Sequence, residues 1–291
     1  MKRAAFLCLL AGGCAIAFAP IFVRLSETGP VASAFWRCAL ATPLLWIWAW
    51  RESPSPPGAG PGEGHKQWGA LILAGLFFAG DLGVWHFSIL FTSVATSTVL
   101  ANLAPIFVTL FGWLVWKTRV TGMFLVGMVA AIVGMFVLVG PEFRQGGQPL
   151  LGDLLGALTG AFYGGYMLAV KVARDRNMST ARLMAWSTTI TAIVLLPVAL
   201  GFPQPFLPRS FGGWMVLVGL AVISQILGQG LIAYAFAHLT ASLSSVSLLI
   251  QPVMATLFAW VLFGEAVGPQ QFIGGAVVLA GIWLAKRASN E

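Results

Sequence analysis

The stretch "PIFVTLFGW" (residues 105–113) returns 147 positions later as "PVMATLFAW" (252–260). The same offset carries Val120 onto Val267, Gly127 onto Gly274 and Gly134 onto Gly281. Upstream it carries Gly83 onto Gly230, Phe87 onto Tyr234 and Arg24 onto Lys171. A nearly ungapped self-match across half the chain is an internal repeat. The residues between these anchors are overwhelmingly apolar, so the repeating unit is a set of membrane spans.

Composition supports that reading. Of 291 residues, 58% are hydrophobic and only 9% are charged, against roughly 25% charged in soluble domains. Apolar runs of about 20 residues suit a bilayer core. Ten runs are predicted: 5–23, 31–50, 68–90, 93–115, 119–139, 151–172, 180–200, 212–236, 240–263 and 267–285. The fold expected is an all-α integral membrane protein in two five-helix repeats, residues 1–147 and 148–291. Connections are short at Phe91, Lys117–Thr118 and His238–Leu239. The long stretch "RESPSPPGAGPGEGHK" (51–66) is rich in Pro, Gly and Ser and reads as a flexible loop.

Five is odd, so the second repeat enters the membrane from the opposite side and the topology is inverted. Such repeats place a site near the midplane, between the halves, and alternating access then follows as one half rocks against the other. With the N-terminus inside, twelve Lys and Arg fall in inner loops, and only Arg24, Arg144 and Arg209 fall in outer ones. The positive-inside rule therefore puts both termini in the cytoplasm. The start, "MKRAAFLCLLAGGCAIAFAP", imitates a signal peptide. Its apolar run continues into "IFV" and belongs to the repeat, so it is read as an uncleaved first span.

Several classes are disfavoured. The net charge of +7 comes from loop residues at the lipid surface, not from basic clusters interleaved with stacking aromatics, so no nucleic-acid partner is expected; membrane lipids are. Cys8, Cys14 and Cys38 are odd in number and form no C-x-x-C, so neither a disulfide framework nor a metal site is indicated. His65, His86 and His238 are scattered, and H-E-x-x-H is absent, as is any Gly-rich phosphate loop. No enzyme and no cofactor is expected. A passive channel fits inverted halves with a polar midplane less well than a carrier does.

Two longer segments, "ANLAPIFVTLFGWLVWKTRVTGMFLVGMVAAIVG" (101–134) and "LLIQPVMATLFAWVLFGEAVGPQQFIGGAVVLAGI" (248–282), resemble the repeated signature of the drug/metabolite transporter superfamily, in its EamA-type branch. "PIFVRLSETGPVASAFWRCALATPLL" (20–45) resembles the end of that branch's first helix and the start of its second. Glu265 fits the "GE" of the signature; the first repeat has Lys117–Thr118 there instead. The resemblance implies a monomeric secondary transporter of the bacterial inner membrane that exports amino acids, aromatic or hydrophobic ones favoured, or related metabolites. YddG-type amino-acid exporters are the analogue. It implies no particular substrate, and a proton-coupled drug or cation exporter is the alternative.

The candidate site is read from polar residues inside the spans. In "AGDLGVWHFS" (79–88), Asp81 lies nine residues from the outer end of its span, about 13 Å deep at 1.5 Å per residue. A carboxylate there costs about 3 kcal/mol or more. It reads either as a ligand for a substrate ammonium or proton, or as an ion-pair partner of Arg37, which enters from the same side at similar depth. Trp85 shares the face of Asp81. His86 does not, and is placed at the solvated outer rim. Gln225 and Gln229, Ser244 with Ser247 and Gln251, Thr98 and Asn102, and Tyr163 and Tyr166 recur at helical spacing. They read as a polar lining of a central cavity, or as ordinary interhelical hydrogen bonds. Phe18, Trp85, Tyr163 and Tyr234 would suit an apolar or aromatic side chain. Pro20, Pro105 and Pro252 each remove a backbone bond, and the mates Pro105 and Pro252 read as symmetric hinges. Gly127, Gly134, Gly274 and Gly281 read as close-packing positions between spans.

Overall fold

The structure is a computed structural model describing residues 2–52, 63–140 and 149–289. The proline-rich part of the predicted loop, 53–62, lies outside the described residues. Glu63–Lys66, assigned to that loop from sequence, begin a helix instead.

The described residues form ten helical rods. They are α1 (Lys2–Leu25), α2 (Pro30–Arg51), α3 (Glu63–Ser88), α4 (Val94–Ala101 continuing as Ala104–Trp116), α5 (Gly122–Val139), α6 (Pro149–Asp175), α7 (Thr180–Gly201), α8 (Phe211–Phe236), α9 (Ala241–Ser247 continuing as Ile250–Phe263) and α10 (Pro269–Ala288). Eight stretches among the described residues are long and apolar enough to cross a membrane. α6 and α10, with 27 and 20 residues, match the length but not the apolarity.

Helix ends follow local chemistry. Ser93, Thr121, Ser179, Ser210 and Thr240 each accept an N–H of the first turn with the side chain. Ser93 and Thr240 are repeat mates. So are Lys117 and Gly264, which end α4 and α9 at φ of 54° and 68°. Glycine takes that left-handed conformation readily; lysine does so with strain.

The repeats pack crosswise. α5 packs on α10, α2 on α7, α3 on α6 and α7, and α1 on α8. Each of these interfaces joins the first half to the second. The two sequence halves therefore interleave instead of standing as separate lobes. In the α5–α10 seam a Cβ on Gly127 would stand 2.7 Å from the Ala285 nitrogen and one on Gly134 2.6 Å from the Val278 nitrogen. Gly127 meets Gly281 while Gly134 meets Gly274, so these mates run antiparallel. The close-packing expectation for the four glycines holds.

The surface and interior reverse the soluble pattern. Val126, Val133, Ile193, Phe272 and Trp283 are exposed on the perimeter, whereas Ser33, Thr96, Ser97, Thr188, Thr191 and Ser224 are buried. An apolar perimeter over a small-residue, hydroxyl-rich interior is the composition of helices packed within lipid.

Both termini reach one end of the bundle, where Lys2, Arg3, Lys286 and Ser289 line a common crevice. The opposite end is tied shut. Arg24 pairs with Glu265 and lies 4.8 Å over the Phe263 ring. Glu27 accepts the backbone N–H groups of Arg209 at 2.7 Å and Ser210 at 2.9 Å, together with the Ser210 hydroxyl. Trp36 Nε1 donates to the Phe206 carbonyl at 2.8 Å.

Two outcomes follow. Gly134→Val should lower stability by about 1–3 kcal/mol through overpacking, read as a drop in the thermal midpoint of detergent-purified protein; an unchanged midpoint would contradict a tight seam. The hydrogen bonds from the Ser210 hydroxyl, and then from the two amides, hold the Glu27 carboxyl below its ordinary value of 4.5. A depressed folded pKa means that the stabilisation is present above the ordinary value and is lost as pH falls through the folded one. The stability difference between wild type and Glu27→Gln should therefore be full at pH 6–7 and shrink progressively as pH falls below the ordinary value of 4.5.

Candidate functional site

Three rods are broken within the bundle. α1 breaks at Ala17–Phe18, α4 at Asn102–Leu103 and α9 at Leu248–Leu249. A proline follows each break: Pro20, Pro105 and Pro252. Having no N–H, a proline cannot serve the carbonyl four residues back, which here is that of Ile16, Ala101 or Leu248. The chain crosses each break through tighter bonds, such as Leu103 N–H to Leu100 O at 3.1 Å and Leu249 N–H to Val246 O at 3.1 Å. Pro43 and Pro197, by contrast, sit inside α2 and α7 without breaking them.

The fourth irregularity is in α8. Residues Leu220–Gln229 form a π-helix between two α-helical segments. Nothing in the sequence reading anticipated it, since "LAVISQILGQ" contains no proline and its apolar pattern is unremarkable. π segments are rare and recur at functional sites.

A cavity of about 80 Å³ lies where these irregularities meet. Its walls are Ile16, Ala17, Ala19 and Pro20 of α1, Phe78, Asp81, Leu82 and Trp85 of α3, and Thr98, Ala101 and Asn102 of α4. Arg37, Tyr163, Gln229, Gln251 and Ala255 close it from α2, α6, α8 and α9. Water needs only about 10–15 Å³ on such a measure, and pockets for drug-sized ligands run about 300–1,000 Å³. This cavity is a constricted chamber for a small solute. On its side away from the termini, Phe18 stacks on Phe258 with ring centroids 4.1 Å apart. At the terminal end a crevice of about 500 Å³ opens between α4, α5, α6, α9 and α10, past Thr118, Lys171 and Ser242.

The two ionisable residues are buried, Asp81 at 8% exposure and Arg37 at 4%. Arg37 Nε donates to Gln225 Oε1 at 2.9 Å, and Gln225 Nε2 in turn donates to Thr188 Oγ1 at 3.0 Å. The Arg37 Cζ lies 5.8 Å from the Phe78 ring. Among the described residues the direct ion pairs are Arg24–Glu265 and Lys171–Asp175; Arg37 and Asp81 do not form one. Among the described residues Asp81 makes no hydrogen bond to the protein, and neither do the terminal nitrogens of Arg37. Tyr163 Oη stands beside Gln251 and Gln229, but Tyr163 Oη, Gln229 Oε1 and Gln251 Nε2 are buried without a well-formed hydrogen bond. Burying polar atoms unpaired costs about 1–3 kcal/mol each, so such a cluster calls for a guest.

Of the sequence candidates, Asp81, Trp85, Asn102, Tyr163, Gln229 and Gln251 share this cavity. Gln225 does not: it accepts from Arg37, which it positions. Ser244 lies before the α9 break, buried and outside the lining. His86 is not at a solvated rim. It is fully buried, with Nδ1 2.7 Å from the Leu82 carbonyl and its ring edge-on to Trp85. Tyr234 is exposed and meets His238 rather than the cavity, and Phe18 closes the chamber instead of lining it. The proposed Arg37–Asp81 ion pair is replaced by two separate charges on one wall. Pro105 and Pro252 mark breaks, as expected. No group of three or more metal-ligating side chains occurs among the described residues.

The profile of the EamA-like transporter family matches the chain twice, over residues 3–140 and 150–287. The chain is similar to the Pseudopaline exporter CntI of Pseudomonas aeruginosa (strain UCBPP-PA14), at 22% identity over 72% of each protein. It is also similar to a probable terminal-alkyne amino-acid exporter of Streptantibioticus cattleyicolor, at 27% identity over 66% of this chain and 64% of that one. A solved crystal structure superposes with a TM-score of 0.79 over 99% of both chains at 17% identity, a likeness of fold alone.

Gln225→Leu should destabilise the protein by about 1.5–3 kcal/mol, because it removes a hydrogen bond to a buried charged group. Gln225→Glu keeps an acceptor and should lose less. Thermal denaturation of the pair checks this, and equal losses would remove Gln225 as the partner that holds Arg37.

Proposed function

Because the chain belongs to the EamA-like transporter family, we propose that this multi-pass membrane transporter exports amino acids or closely related small metabolites, with the chamber at the helix breaks as its solute site. The observation that carries the reading is a small chamber, midway along the bundle, where Tyr163 Oη, Gln229 Oε1 and Gln251 Nε2 are buried without a well-formed hydrogen bond. The name of the relative from Streptantibioticus cattleyicolor, a probable amino-acid exporter, points the same way.

In this reading α6 and α10 cross the bilayer with the other eight helices. The two matched segments are inverted repeats meeting near residues 147–148, and the basic terminal end faces the cytoplasm of the inner membrane. The chain works as a monomer. The ties at Glu265 and Glu27 and the Phe18–Phe258 stack close the outer path, while the 500 Å³ crevice lies on the cytoplasmic side. Solute loads from the cytoplasm. Alternating access then needs the crosswise helix pairs to tilt together, closing the inner crevice as the outer ties break, with the gaps before Pro105 and Pro252 as hinges.

One observation favours a second reading, a proton-coupled cation exporter: Asp81 is a buried carboxylate without a hydrogen bond. Arg37 on the same wall counts against a purely cationic cargo.

Counterflow in proteoliposomes tests the main reading. Trans-loaded amino acid should accelerate uptake of the same labelled amino acid, as a carrier requires; no acceleration with any of the twenty would remove it. Asp81→Asn should reduce exchange at least about tenfold, through loss of a charge-assisted contact. With an imposed pH gradient, an unchanged proton dependence in this variant would eliminate Asp81 as a coupling site.

A further inference from the structure

We propose that the chamber recognises its solute as a zwitterion: Arg37 takes a carboxylate and Asp81 takes an ammonium group, so the cargo is a free α-amino acid held by both charged ends. This deepens the exporter reading and rests on the chamber being the solute site.

Opposite charges buried in a low-dielectric interior attract strongly, and one bought into a membrane normally pairs with another. Here Arg37 and Asp81 share a wall of one small chamber without meeting. Arg37 is held back by two restraints: its Nε is bonded to Gln225, itself fixed by Thr188, and its guanidinium lies against Phe78. What remains facing the chamber is the terminal fork of the guanidinium, the pair of donors that matches a carboxylate. Asp81, an acceptor only when ionised, is the complement of an ammonium group.

The chamber is so small that a solute within it lies in reach of both charges. A cation without a carboxylate leaves Arg37 unsatisfied and is repelled by it. An anion without an ammonium meets the converse penalty at Asp81. A neutral solute satisfies neither charge. A free amino acid carries both groups on one carbon and satisfies both residues together. Its side chain then faces Leu82, Trp85 and Pro20, with Gln229 and Gln251 nearby, in a space that suits a modest apolar group.

The test needs no variant at its first stage. Purified full-length protein is screened for thermal stabilisation by the twenty standard amino acids. The best stabiliser is then compared with its decarboxylated amine and its deaminated acid, both smaller than the parent, so size cannot reject them. Each analogue should bind at least about tenfold more weakly than the amino acid. Asp81→Asn should lose discrimination against the deaminated acid while keeping that against the amine, and Arg37→Gln should do the reverse. An amine or an acid that binds wild type as tightly as the amino acid overturns the zwitterion proposal; if that analogue also shows counterflow, the carrier reading survives. If no solute of the three classes binds or exchanges, the carrier reading falls and takes this proposal with it.

Discussion

The contact on which the rest of the structure depends is the one between the α5 and α10 backbones. At Gly127, Gly134, Gly274 and Gly281 there is no room for a methyl group. Four glycines at seven-residue spacing, repeated at the same offset, fix two repeat mates side by side and antiparallel. Once those mates are locked, the other pairings follow as a two-fold arrangement: α2 on α7, and α3 on α6 matched by α8 on α1. The halves interleave, and the broken helices α1, α4 and α9 all reach one chamber. A chamber forms there because broken helices cannot fill space as tightly as continuous ones, and because breaks leave carbonyls that proline cannot serve.

The scaffold is symmetric, but the chemistry inside it is not. Shifting by 147 residues carries Ile16 onto Tyr163 and Leu82 onto Gln229, and all four of these residues line the chamber. The two-fold thus brings equivalent positions to one place, where divergence has put an apolar residue on one side and a polar one on the other. Asp81 falls on Gly228 and Arg37 on Met184, so both charges come from the first repeat alone. A doubled backbone with single copies of its charged groups supplies one polarised site rather than two half-sites.

Much of this was legible in the sequence because it is carried by local pattern. Apolar length marks the spans, the offset marks the repeat, and glycine spacing marks the α5–α10 seam. Asp81 and Trp85 share a wall because i and i+4 share a helix face. The failures arise where tertiary context overrides that arithmetic. Gln225 and Gln229 share a helix face, yet Gln225 is taken up by Arg37 while Gln229 lines the chamber. Depth along a helix made His86 look solvated, but the rotation of α3 buries it against its own backbone carbonyl at Leu82. Equal depth likewise suggested an Arg37–Asp81 pair, whereas the hydrogen bond to Gln225 holds the guanidinium apart. None of these signals lies within a window of neighbouring residues.

The departure of the first repeat from the second at one position has a mechanical reading. Arg24 and Lys171 are mates, and so are Glu265 and Thr118. At the end away from the termini the first and third of these four close an ion pair. At the terminal end the second and fourth have no acid between them, Lys171 turns to Asp175 on its own helix, and the crevice stays open. An exposed ion pair is worth little by itself, about 0–1 kcal/mol. In a two-fold scaffold, however, the two ends repeat the same helix contacts, so such small terms are where they differ. Glu265 at one mate carries the tie, and Thr118 at the other does not.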